Sequence, residues 1–161
     1  LLLPEYLLLI PAIPIALWVS WSDMKFMRIP NIACLALFAS FLVMGFFIYE
    51  LHEYGIRIAQ GIVVLIIGFF ATGVGFVGGG DAKFAAAMAP FIALEQTLPF
   101  IFIIGIMSLF SVGLHKIVGI TPWVKHKIAD WDSWNTTGMF PFGVTLAASL
   151  IASLILTNFY S

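Results

Sequence analysis

Residues 32–49 read IACLALFASFLVMGFFIY, a run of 18 positions without a charged side chain. A helix needs roughly 17–25 apolar residues to cross the hydrocarbon of a bilayer, so this run predicts a membrane span. The rest of the chain agrees. Its 161 residues are 62% hydrophobic and 9% charged, with a mean hydropathy of +1.11. Soluble domains carry about 25% charged residues, so this chain lacks the polar material for a water-facing surface. Sixteen Phe and five Trp exclude disorder, because they would collapse rather than stay solvated. Seven Lys and Arg against eight Asp and Glu give a formal charge of −1 and no basic stripe, which excludes nucleic acid as a partner. The single cysteine, Cys34, lies inside the quoted run and reads as a small core hydrophobe.

Working outward, five more apolar runs follow the same logic. Span one is Tyr6 to Ser20, with Pro11 and Pro14 inside it, and span two is Ile32 to Tyr49. Span three, Ile56 to Phe70, fades into the glycine-rich stretch Thr72 to Gly80. Span four, Ala82 to Leu94, is short and alanine-rich; span five is Leu98 to Leu114 and span six Phe142 to Phe159. Pro4, Pro30, Pro99 and Pro141 lie at edges, where a missing backbone donor costs little. The expected fold is therefore an all-α membrane protein, a bundle of six transmembrane helices forming one domain over residues 1–161. Non-helical backbone at membrane depth needs cover, so Gly73 to Gly80 is expected as an irregular segment or cavity rather than a lipid-facing loop. Span one lacks a basic n-region and an A-x-A cleavage site and is expected to be retained. The sequence starts at Leu1 without a Met, so a short upstream piece is expected.

Orientation follows from basic residues. Lys25, Arg28, Lys83, Lys116, Lys125 and Lys127 fall in the odd-numbered loops, and only Arg57 falls in an even one. The positive-inside rule then puts loops one, three and five in the cytoplasm and both termini outside. Trp18, Trp21, Trp123, Trp131 and Trp134 cluster near the same face and read as interface anchors, with Trp131 and Trp134 as a possible lid.

Eight acidic residues remain to be sorted, since acids in or beside a span are costly unless paired or functional. Glu5, Glu50, Glu53 and Glu95 fall at outer edges and are expected to be solvated there. Asp130 and Asp132 read as loop charges of the segment Thr121 to Gly138. His115, His126, Asp130 and Asp132 match no strong ligand spacing, so no metal and no cofactor are expected.

Asp23 and Asp81 differ. Asp23 follows span one in Ser22-Asp23-Met24-Lys25-Phe26-Met27-Arg28-Ile29-Pro30-Asn31. Asp81 follows Gly78, Gly79 and Gly80 and precedes Ala82 and Lys83 at the start of span four. Both lie at cytoplasmic ends by an orientation argued without them, so they could face each other. Two neighbouring carboxyls cannot both ionise easily and share a proton. The ionised member can then take a proton from water while the protonated one polarises a scissile carbonyl. Glycines would let a peptide backbone approach and reach φ > 0 without strain. The residues alone leave a second reading open, in which Asp23 pairs with Lys25 or Arg28 and Asp81 caps its helix. Two further classes stay open: a small proton- or cation-coupled transporter using the two aspartates, and a structural subunit whose charges only anchor it.

Asp23 with Ile29-Pro30-Asn31, and Gly78-Gly79-Gly80-Asp81-Ala82-Lys83, resemble the two signature segments of the type IV prepilin peptidases, G-x-G-D intramembrane aspartyl proteases. A third segment, Pro141-Phe142-Gly143, looks like the Pro-aromatic-Gly motif that opens that family's last helix. The resemblance implies six transmembrane helices in the bacterial inner membrane and a catalytic pair at Asp23 and Asp81. It implies as partner a prepilin precursor, whose short basic leader is cut off on the cytoplasmic face. Gly78, Gly79, Gly80, Lys83, Pro30, Asn31, Pro141, Phe142 and Gly143 would bind substrate or shape the site. Lys83 could equally be a positive-inside anchor, and Pro30 and Asn31 could simply start span two. The small residues Gly73, Gly75, Ala85, Ala86 and Ala87 would leave room for the substrate helix between spans. The first loop is short and carries no Cys-x-x-Cys pairs, so the chain resembles the short form of Flp/tight-adherence pili, with methyltransferase activity in doubt.

Overall fold

The computed structural model describes residues 4–121, 130–135 and 140–160. Every regular element among them is helical, with no strand among the described residues. A 3-10 turn, Glu5–Leu8, leads into α1 (Leu9–Phe26), followed by α2 (Asn31–Ile48), α3 (Leu51–Gly73) and α4 (Gly79–Met88). Two 3-10 turns, Ala89–Phe91 and Leu94–Gln96, connect α4 to α5 (Thr97–Ile120). A short helical turn, Asp132–Asn135, precedes the last helix, α6 (Phe142–Tyr160).

Four segments are long and apolar enough to cross a membrane: Glu5–Phe26, Asn31–Ile48, Leu51–Gly73 and Leu94–Ile120. The segment expected as span four forms only a ten-residue α-helix, because Pro90 cannot continue the α-helical hydrogen-bond ladder and the chain tightens into a 3-10 turn. α4 is placed inside the molecule, against α2, α3 and α6. Phe84 and Met88 are fully covered, and Ala82, Ala86 and Ala87 nearly so. α1 pairs with α6, and α6 in turn packs on α5. In contrast, the apolar windows of α3 and α5 are each only 11% buried, so their outer faces offer Leu, Ile and Phe side chains to whatever surrounds the bundle. In lipid that exposure carries no penalty.

Small residues set the approach of α3 to α4. A Cβ on Gly61 would lie 2.9 Å from Pro90 Cγ, and one on Gly68 would lie 2.9 Å from Ala82 Cβ. These glycines are seven positions apart and share one helix face, so the two backbones touch along two turns. Gly68→Val should therefore cost about 1–3 kcal/mol through overpacking. A lower thermal midpoint in detergent is expected, while Gly105→Val, where a Cβ meets nothing within 4 Å, should leave the midpoint nearly unchanged.

Two boundary expectations are corrected. α1 does not stop at Ser20: it runs to Phe26 and ends where Met27 adopts a left-handed φ of 50° and donates its N–H to the Asp23 carbonyl at 2.9 Å. Arg57 is not a loop charge but a buried residue of α3, 4% exposed. Its guanidinium bonds Glu53 Oε1 at 2.8 and 3.0 Å and the Pro90 carbonyl at 3.3 Å, and it stacks 3.9 Å from the centre of the Tyr49 ring. The Tyr49 ring offers its π face to the cation. Glu53, expected to be merely solvated, is the counter-charge of this cluster.

The glycine-rich stretch is irregular only over residues 74–78. Its side chains are exposed rather than covered, with Phe76 86% exposed. The expected protein cover is absent there, because α3 stays helical to Gly73 and turns back on itself through Gly75 at φ 80°.

Candidate active site

Asp23 sits on the last turn of α1 and is 5% exposed. Its Oδ2 accepts a hydrogen bond from the Gly143 N–H at 2.7 Å. Gly143 is the second residue of α6, where backbone donors have no partner within the helix. The Asp23 carboxylate therefore docks on a helix N-terminus, with the Val144 amide also approaching it. Pro141 is buried just ahead of α6, and its carbonyl accepts from the Val144 N–H at 3.3 Å. Phe142, the first residue of α6, is 36% exposed.

Gly143 is small for a steric reason. A Cβ there would lie 2.8 Å from Asp23 Oδ2 and 2.8 Å from Ile29 Cδ1. Ile29, in the link between α1 and α2, is the hinge-pin of the site. Its other flank lies against Gly80, where a Cβ would sit 3.3 Å from Ile29 Cβ. One isoleucine thus separates the N-terminus of α6 from that of α4, and each approaches it through a glycine.

Asp81 lies in the first turn of α4 and is partly exposed. Its carboxylate curls back over Gly78, where a Cβ would meet Asp81 Oδ2 at 2.7 Å. No side-chain capping bond forms at this helix start. The Asp23 and Asp81 carboxylates are near enough to interact electrostatically. The only ion pair among the described residues joins Arg57 and Glu53, so neither Lys25 nor Arg28 neutralises Asp23 within 4 Å. The expectation that Gly78, Gly79 and Gly80 reach positive φ is not met: among the described glycines only Gly75 does. What Gly78 and Gly80 supply is room, for a carboxylate and for Ile29.

Around the pair, Ser22 Oγ donates to the Arg28 carbonyl at 2.8 Å and closes the turn between α1 and α2. Pro30 is the N-cap of α2 and Asn31 its first residue. Lys83 Nζ donates to Asn31 Oδ1 at 3.0 Å, tying the start of α4 to the start of α2. Two cavities, each of about 480 Å³, share Asn31. One is polar and bordered by Ser22, Arg28, Ile29 and Asp132. The other is an apolar groove between α2 and α3 with α4 as its floor. Of the small residues expected to leave room for a substrate helix, Ala86 and Ala87 line this apolar groove, Ala85 does not, and Gly73 and Gly75 are exposed on the surface.

The turn Asp132–Asn135 packs against α1, which places the exposed Asp132 at the edge of the polar cavity. Trp134 secures that placement. Its ring stacks on His115 of α5 at 3.8 Å between centres and 12° between planes, and it covers Gly119 so closely that a Cβ there would lie 2.9 Å away. His115 is thus a helix residue with a packing role. His126, Lys125, Lys127 and Trp123 lie outside the described residues. Among the described residues, no three His, Cys, Asp or Glu come together as a metal site. The arrangement offers chemistry by carboxyls: one oriented by a backbone N–H, one reachable from solvent, and a polar cavity beside them.

A family model described as the type IV leader peptidase family matches residues 10–113, which include both aspartates and well over half of the chain. No curated protein and no solved structure matches the chain.

Proposed function

Because the chain belongs to the type IV leader peptidase family, we propose that it is an aspartic endopeptidase in which Asp23 and Asp81 remove the leader from Flp-like type IV prepilins. The observation that carries this reading is the Gly143 N–H bonded to Asp23 at 2.7 Å, with Ile29 holding the Asp81 helix start against the same spot. That contact fixes one carboxyl without satisfying it through a cation. It thereby favours a reacting group over a structural ion pair.

In the proposed reaction the ionised carboxylate takes a proton from water, whose oxygen attacks the scissile carbonyl carbon. The protonated partner donates to the carbonyl oxygen, and the C–N bond then breaks as the departing amine takes up a proton. No cofactor enters. Gly78 and Gly80 keep the Asp81 turn open, and Pro141, Phe142 and Gly143 set the helix start that orients Asp23. Lys83, Asn31 and Pro30 shape the neighbouring cavity.

Six crossings of the bacterial inner membrane complete the proposal. α4 and the turn Ala89–Phe91 that follows it make the fourth, shielded from lipid by α2, α3 and α6. Reassigning Arg57 to a buried cluster removes the one basic residue that opposed the orientation, which supports a site facing the cytoplasm and both termini outside.

The test is co-expression with Flp-type prepilins, read as a gel shift and by the mass of the product. A shortened pilin, cut once, is the expected result. Intact precursor across several prepilins, with the protein folded and abundant in the membrane, would refute the assignment.

A further inference from the structure

The apolar groove between α2 and α3 calls for an occupant of its own. α2 and α3 scarcely pack on each other, and the gap between them is walled by Leu35, Phe38, Ile62 and Leu65. Its floor is Gly61, Ala86 and Ala87, whose lack of bulk creates the depth. From Asn31 to Phe38 it runs seven positions along α2, on the order of 10 Å. At one end stands Lys83, whose ammonium is held by the neutral Asn31 amide at 3.0 Å. Among the described residues no carboxylate forms an ion pair with it. Arg28 lines the polar cavity that shares Asn31. The groove is therefore long and apolar and carries a cation at its polar end.

The groove is open along one side, with Leu35, Ile62 and Leu65 all about half exposed or more, and among the described residues its only cation stands at its polar end. An extended hydrocarbon chain lying along it would place an anionic headgroup at Lys83. We propose that this groove holds one acyl chain of an anionic phospholipid, with the phosphate on Lys83. Basic pockets between membrane helices bind anionic headgroups in this way. The lipid would close the gap between α2 and α3 and brace the helix that carries Asp81, without taking part in the reaction.

Native mass spectrometry of the detergent-purified full chain tests this, with phosphatidylglycerol and phosphatidylcholine as probes. Wild type should retain one phosphatidylglycerol at concentrations where phosphatidylcholine stays at background. Lys83→Gln should lower that retention about fivefold, and Lys83→Arg should keep it. Leu65→Trp, which fills the groove and leaves the cation in place, should abolish retention of phosphatidylglycerol; helical circular dichroism verifies that each variant is folded. Should Lys83→Gln not fold, Leu65→Trp and Leu35→Trp decide the matter alone. Equal retention of both lipids by wild type, or unchanged retention in the groove-filling variants, would overturn the proposal. So would capture of a synthetic apolar helical peptide carrying a glutamate, with no phosphatidylglycerol retained, since that outcome assigns the groove to a peptide. None of these readouts involves prepilin cleavage, so the lipid site and the peptidase assignment stand or fall separately.

Discussion

Asp23→Asn and Asp81→Asn should each reduce prepilin cleavage by at least about 100-fold, the scale of a lost acid–base group. Either amide is nearly the same shape as the carboxyl it replaces. At position 23 the new carbonyl oxygen can still accept the Gly143 N–H, so the contact that organises α1 and α6 persists. At position 81 the side chain makes no capping bond whose loss would unravel α4. Both variants are therefore expected at wild-type abundance, with activity alone removed. The double variant should be no worse than either single one, because groups that act as a unit are strongly non-additive. Initial rates with a purified prepilin, normalised to folded enzyme, check all three.

The second large effect is at Gly143. Gly143→Ala places a methyl group 2.8 Å from Asp23 Oδ2 and 2.8 Å from Ile29 Cδ1. Something must move, and the least constrained of the close atoms are those of the Asp23 carboxylate. Displacing a reacting group by about 1 Å can cost on the order of 100-fold in rate. The fold should suffer less, because Ala is a better helix residue than Gly by about 1 kcal/mol, which offsets part of the crowding. Low cleavage at nearly unchanged thermal midpoint is the expected signature. Gly105→Ala, with open space around its Cβ, should change neither.

Much of this site was legible in the sequence, and the residues show why the rest was not. Asp23 and Asp81 stood out because an acid beside an apolar run is costly, and the structure brings both to one end of the bundle around Ile29. Pro141, Phe142 and Gly143 were legible as a segment, but their task was not. That the Gly143 N–H would bond an aspartate 120 positions away is a tertiary fact with no local trace. Ile29 went unnoticed as the spacer because one more isoleucine in an apolar chain carries no signal. Asp132 read as a solvated charge and stays exposed, but nothing local shows that Trp134 will stack on His115 or that its turn will pack on α1.

Helix ends were harder than helix cores. Hydropathy falls at Asp23 and Lys25, whereas the helix ends on the left-handed Met27, so Asp23 was placed after a span it belongs to. Arg57 was assigned to a loop by the same logic, although Glu53 one turn earlier in the sequence could have signalled an i, i+4 pair on a helix. Gly61 and Gly68 carried a readable signal too, a seven-residue spacing of small residues on one face, which the length of the apolar run concealed.

The central claim is that Asp23 and Asp81 react as one proton-sharing pair. The pH dependence of kcat/KM for prepilin cleavage, measured on the liposome-reconstituted enzyme, tests it most directly. A bell-shaped profile is expected, its two limbs belonging to the pair jointly, with cleavage lost at every pH in Asp23→Asn and in Asp81→Asn. A profile with a single limb, or substantial cleavage by either variant, would contradict the account.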